Sequence, residues 1–229
     1  LGKKERSFYG IEKGEAYFCS AKRVELSGIE GSTFIIACEG QEMKIEIDLL
    51  GRGNIYNSLA AISMARLLGV EWPEVKAGLK ISPLSQRLNP IKFPNGIVLD
   101  DSYNANPVSV RAAIDIVSSI KVFGSKKLVL GDMLELGPSA KREHLSLVEP
   151  LIGSGIESVY TYGELAAYLS EKLSREKDLK TDAFHFSKKT KLIDRLLDDL
   201  EGTDNIVLVK GSRGMEMEDV VEGLIKNGN

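Results

Sequence analysis

From residue 97 onward the chain repeats one pattern: a short run of Val, Ile and Leu, a polar loop, then a segment with apolar residues at helical spacing. The strand-like runs are IVLD (97–100), KLVLG (127–131), SVYTY (158–162), AFHF (183–186) and NIVLVK (205–210). Helix-like segments fall near 107–121, 139–152, 164–175, 188–200 and 216–226. Strands joined through helices cannot pair as tight hairpins, so this alternation predicts an α/β fold, a Rossmann-like mostly parallel sheet covered by helices. It also predicts that the loops leaving the strands gather at one edge, where open parallel sheets bind ligands.

The first third follows a different rule. From Glu15 to Leu49 short β-type runs succeed one another: AYFCS, KRVEL, STFIIAC, then Met43, Ile45 and Ile47 alternating with Lys44 and Glu46. A corner at Cys38–Gln41 would make the last two a hairpin. A helix is expected over Asn54–Leu68, closed by Gly69, and a second from Pro73. Periodicity then stops in KISPLSQRLNP, which places a domain boundary near 82–86.

Bulk properties narrow the classes of function. A chain of 229 residues can bury two cores, and a net charge of −3 gives no electrostatic reason for nucleic acid or an anionic membrane as partner. No apolar run approaches the roughly 18 residues of a membrane span. The opening LGKKERSFYG lacks the apolar core of a signal peptide, so a cytoplasmic location is expected. Beginning at Leu1, the chain reads as a piece of something longer. Cys19 and Cys38 lie in strand-like surroundings and are expected to be buried free thiols.

Three loops carry most of the chemistry. In DDSYNANP (100–107), Asn106-Pro107 is a good helix start, but a cap needs one polar side chain, which leaves Asp100, Asp101, Tyr103 and Asn104 unexplained. GDMLELG (131–137) holds Asp132 and Glu135 between glycines and suits either a ligand loop or a structural one. KGSRGM (210–215) offers Ser212 and Arg213 ahead of an acidic helix start, as a cradle for phosphate or carboxylate or as an ordinary turn. Lys210 reads as an ion-pair or structural lysine. In GRGNIYN (51–57), Asn54 and Asn57 share a helix face; one would serve as N-cap and the other is spare. Arg87, just past the linker, reads by itself as a solvated arginine. With His144 and His185 the only histidines, no zinc spacing is present, and there is no G-x-S-x-G elbow and no G-x-x-x-x-G-K-[ST] phosphate loop.

In this order and at these intervals, GRGN-x-x-N, RL, DDSYNANP, LGDM-x-ELG with a following histidine, and KGSR resemble the Mur ligases across essentially the whole chain. The D-N-P-R signature of the relatives that add diaminopimelate or lysine is missing, which favours the dipeptide-adding branch. The resemblance implies an ATP-dependent amide ligase that joins D-alanyl-D-alanine to UDP-N-acetylmuramoyl-tripeptide through an acyl phosphate, in peptidoglycan synthesis. It implies that residues 1–83 are the end of a central ATPase domain and 84–229 the C-terminal domain. The phosphate loop and Mg²⁺ ligands are then expected upstream, no metal ligand is expected here, and this stretch alone is expected to be inactive.

By the same resemblance Asn54 and Asn57 lie by the adenine of ATP, Arg87 faces the phosphates, and Asp101 accepts from ribose hydroxyls. From loop position and the family's general layout, Ser212 and Arg213 would hold the dipeptide carboxylate, with Asn104, Asn106 and Asp132 orienting its amine or its peptide amide. The chain departs from the family at Gly53, where G-R-H-N has histidine and any adenine contact is lost, and at Gln86, where G-R-L has glycine. Two other readings stand beside this one: a folylpolyglutamate- or cyanophycin-type ligase, and a non-enzymatic binding module on the same fold.

Overall fold

A computed structural model of the chain describes residues 7–11, 17–121, 124–176 and 180–227. They fall into two compact units, Leu1–Ser82 and Pro83–Asn229.

In the first unit β1 (Tyr9–Ile11), β2 (Cys19–Leu26), β3 (Ser32–Cys38) and β4 (Gln41–Ile47) form a sheet in that order. β1 runs parallel to β2 and the other pairs are antiparallel. Glu15 and Ala16, which begin the first expected run, lie outside the described residues. The two runs AYFCS and KRVEL, expected as separate, share the single strand β2. β3 alternates as its sequence predicts: Phe34 and Ile36 are buried while Thr33 and Ile35 are half-buried. Its inner face meets Ile55, Leu59 and Ile62 of α1 (Gly51–Leu67) and Val75 of α2 (Trp72–Gly78) in one apolar cluster.

Two expectations fail in this unit. Cys19 and Cys38 are not free thiols; they are joined in a disulfide with their Cα atoms 4.3 Å apart. The cause is a bulge: a one-residue register shift between Lys22 and Glu25, with Arg23 at φ 48°, sets Cys19 opposite Cys38 rather than Glu39. Nor does either asparagine cap α1, which starts three residues early with Leu50 at its N-cap. The Asn54 amide instead donates back to the Leu50 carbonyl at 2.9 Å, and Asn57 donates to the Asn54 side chain at 3.4 Å. Both asparagines lie inside the helix, past the N-cap position from which a side-chain oxygen reaches the orphan N–H groups of the first turn.

The second unit contains β5 (Asn89–Phe93), β6 (Gly96–Asp101), β7 (Lys126–Gly131), β8 (Ser158–Tyr162), β9 (Asp182–Phe186) and β10 (Asn205–Lys210). Their order is β5-β6-β10-β7-β8-β9, parallel except for β5, which runs antiparallel to β6. β5 was not expected, because Asn89-Pro90 reads as the end of the linker; proline is tolerated there on an edge strand, where one side needs no donor. The sheet is accompanied by α3 (Pro107–Ser119), α4 (Ala140–Leu145), α5 (Val148–Leu151), α6 (Ala166–Leu173), α7 (Lys189–Asp198) and α8 (Glu218–Asn227). The helix expected over 139–152 is broken into α4 and α5. Pro150 has no N–H for the Ser146 carbonyl and its ring would crowd it, so one helix cannot run through. Because β10 enters between β6 and β7, the three loaded loops leave adjacent strands at the same edge.

Candidate functional site

The edge is organised by a buried ion pair. Lys210 and Asp101 are the last residues of β10 and β6 and stand side by side in the parallel register. Lys210 Nζ donates to Asp101 Oδ2 at 2.5 Å and to the Asn104 carbonyl at 2.8 Å. Asp101 Oδ1 accepts from the Leu88 N–H at 3.2 Å. Only 2% of the Lys210 side chain and 12% of Asp101's is exposed. Burial pushes the Asp101 pKa up and the Lys210 pKa down, and the attraction between the two opposes both shifts. A carboxylate has about four lone-pair sites; two are taken here, so Asp101 can still accept from a ligand.

The neighbouring loops are stitched to this pair. Asp100 Oδ1 accepts from the backbone and hydroxyl of Ser102, fixing the turn. Asn106 caps α3 by accepting from the Ser109 N–H at 2.9 Å, with Pro107 as the first helical residue. Ser212 Oγ donates to the Ala105 carbonyl and accepts from the Leu134 N–H, while the Ser212 N–H donates to the Asp132 carbonyl. All three loops thus meet at one serine. Asp132 Oδ1 accepts from the Ala166 N–H at 2.7 Å at the start of α6. Gly163 makes room for that carboxylate, since a Cβ there would lie 2.4 Å from Asp132 Cγ. His144, fully buried, accepts from the Met133 N–H through Nε2 and meets the Ala140 carbonyl through Nδ1.

Among the exposed side chains of the edge are two arginines and an asparagine, beside Tyr103, Leu134, Glu135 and Glu216. Arg213 Nη1 donates to Glu218 Oε1 at 2.6 Å and to Gln86 Oε1 at 3.3 Å. Arg87 lays its guanidinium over the Tyr103 ring at 4.0 Å and its N–H groups meet no acceptor among the described residues. Asn104 is exposed, and its side-chain oxygen accepts from the Ala105 N–H.

The structure therefore brings together Arg87, Asp101, Asn104, Asn106, Asp132, Ser212 and Arg213. Asn54 and Asn57 belong to the first unit, on the first turns of α1. Of these residues, Asn106 and Asp132 already hold helix starts, whereas Arg87, Asn104 and Arg213 present polar groups to solvent. Sequence reasoning passed over the clamp formed by Gln86 and Tyr103: the Tyr103 N–H donates to the Gln86 carbonyl at 3.2 Å. The surplus tyrosine in DDSYNANP was the available signal. Among the described residues no group of three or more His, Cys, Asp or Glu side chains is placed to hold a metal.

The family model described as "Mur ligase, glutamate ligase domain" matches residues 86–213, which span all three loops. The chain belongs to the Mur ligase family. It is 34% identical over 200 residues to the UDP-N-acetylmuramoyl-tripeptide–D-alanyl-D-alanine ligase of Bacillus subtilis, covering 86% of this chain and 43% of that protein. To the Haemophilus influenzae ligase of the same name it is 35% identical over 231 residues, covering 98% and 48%. The fold superposes on the crystal structure of MurF from Acinetobacter baumannii with a TM-score of 0.81 at 28% identity, over 93% of this chain and 46% of that one. The chain spans less than half the length of these curated relatives. No helix among the described residues is long and apolar enough to cross a membrane. Gln86, where the resemblance implies glycine, has φ 61°, in the left-handed region that glycine adopts freely.

Proposed function

We propose that these residues form part of an ATP-dependent ligase that adds D-alanyl-D-alanine to UDP-N-acetylmuramoyl-tripeptide in the cytoplasm. Residues 1–83 would end its ATPase domain and residues 84–229 would form its C-terminal domain. The observation that carries the reading is the sheet edge itself: DDSYNANP, GDMLELG and KGSRGM converge on Ser212 and the Lys210–Asp101 pair, in a chain whose relatives bear that ligase name.

Forming an amide from a carboxylate requires a better leaving group than oxide, and phosphorylation of the tripeptide carboxylate supplies one. The dipeptide amine then attacks the acyl carbon, phosphate leaves, and the amine loses a proton. Little of this is covalent work for the protein; positioning and charge stabilisation dominate. Arg87, with unengaged N–H groups, suits the phosphates. Asp101, held by Lys210 and Leu88, suits ribose hydroxyls, and Asn54 and Asn57 suit the adenine. Arg213 suits the dipeptide carboxylate, with Asn104 near its amine; Ser212, expected beside Arg213, has given its O–H and N–H to the Ala105 and Asp132 carbonyls and, with Asn106 and Asp132, shapes the loops instead. Magnesium, when bound, would neutralise phosphate charge, and its ligands are assigned upstream.

Phosphate release by the complete enzyme is the test. Arg87→Ala should lower kcat, and Arg213→Ala should raise KM for D-alanyl-D-alanine while leaving KM for ATP nearly unchanged. Unaltered kinetics in both variants, at matched thermal stability, would sink the assignment; a rise in KM for ATP alone would move Arg213 to the nucleotide.

A further inference from the structure

Arginine is a poor fixed charge when its side chain is free, because its stem carries about 2 kcal/mol of rotamer entropy. Arg87 is exposed, its guanidinium makes no hydrogen bond or salt bridge among the described residues, and the Asp101 carboxylate attracts it only at longer range. What holds it is the ring of Tyr103, whose centroid lies 4.0 Å from the guanidinium carbon. The ring is fixed in turn. The Tyr103 N–H donates to the Gln86 carbonyl, one residue before Arg87, and the adjacent Leu88 N–H donates to Asp101. Segment 86–88 and the start of DDSYNANP are thus pinned twice, once backbone to backbone and once to the Asp101 carboxylate, with the stack between the pins. Stacking engages the flat face of the guanidinium and leaves all five N–H groups at its rim available to an anion.

We propose that Tyr103 is a positioning residue: it holds the Arg87 guanidinium as a preorganised donor array for a phosphate group. This rests on the assignment of Arg87 to phosphate under the proposed function. Nothing in it needs the phenolic hydroxyl, which has no hydrogen-bond partner among the described residues. The ring is the working part. Tyr103 is 45% exposed, so its removal should cost the fold little.

Two measurements test the idea. In the complete enzyme, Tyr103→Ala should lower kcat about tenfold and Tyr103→Phe should stay within about twofold of wild type. Added to Arg87→Ala, Tyr103→Ala should have no further effect, because its effect runs through that arginine. In the 229-residue chain, the Arg87 side-chain proton resonances should be shifted upfield by the ring, keep that shift in Tyr103→Phe, and lose it in Tyr103→Ala at unchanged melting temperature. Additive effects in the double variant, or Arg87 resonances unmoved by loss of the ring, would overturn the proposal while leaving the role of Arg87 intact. An Arg87→Ala enzyme with wild-type kinetics would overturn both.

Discussion

The two units bury different things. Among the described residues, the buried polar side chains of the first unit are serines, while the second unit buries Asp100, Asp101, Lys127, Asp132, His144 and Lys210 besides uncharged polar groups. The first is held by apolar packing and one covalent link between neighbouring strands. The second carries charge into its interior, most of it at the carboxyl ends of β6, β7 and β10 and one lysine, Lys127, at the amino end of β7, where each ionised group must find an internal partner or destabilise the fold. Stability and candidate chemistry are therefore separable in the first unit and shared by the same atoms in the second.

The sharpest way to break that contrast is to remove a buried charge. Lys210→Met leaves Asp101 without its counter-ion, so the unfolding transition of the second unit should lose about 3–5 kcal/mol while that of the first stays put. Asp101→Leu in the same chain should restore part of the loss, since replacing both partners with apolar groups removes the stranded charge. Denaturant unfolding followed by hydrogen exchange would separate the two units; a loss under about 1 kcal/mol for Lys210→Met would mean that water, not Lys210, satisfies Asp101.

The first unit answers to a covalent change instead. Cys19 and Cys38 close a loop of sequence separation 19, worth about 3 kcal/mol through restriction of the unfolded chain. Reduction, or Cys19→Ala with Cys38→Ala, should lower the stability of the first unit by that amount and leave the second unchanged. Thiol titration under native and denaturing conditions checks the premise, and two titratable thiols in the unreduced, unfolded chain would refute it.

The smallest effects come from a mirrored pair of glycine sites. Gly53 sits inside α1 with nothing within 4 Å of a built Cβ, so Gly53→Ala should stabilise the first unit by about 0.5–1 kcal/mol. Gln86 occupies a left-handed position, and Gln86→Gly should stabilise the second unit by about 1 kcal/mol, less the exposed contact to Arg213. Opposite signs in thermal melts would show that propensity is overridden by contacts at that site.

Residues 97–229 announce their architecture locally. Runs such as NIVLVK and KLVLG are too apolar to be anything but buried strands, and the helical segments between them force parallel pairing, so the crowding of DDSYNANP, GDMLELG and KGSRGM at one edge was legible from the chain alone. The N-cap at Asn106 and the proline after it were legible for the same reason: capping depends on a few neighbouring residues. What the pattern could not specify is which strand lies beside which. β10 is last in sequence, yet it inserts between β6 and β7, and only that choice makes Lys210 and Asp101, 109 residues apart, into neighbours. In the first unit a single bulged residue decided that Cys19 faces Cys38. Strand order and register are settled by the packing of whole faces against each other, a sum over contacts distant in sequence, whereas helix starts and strand runs are settled by groups within one turn or one pleat of each other.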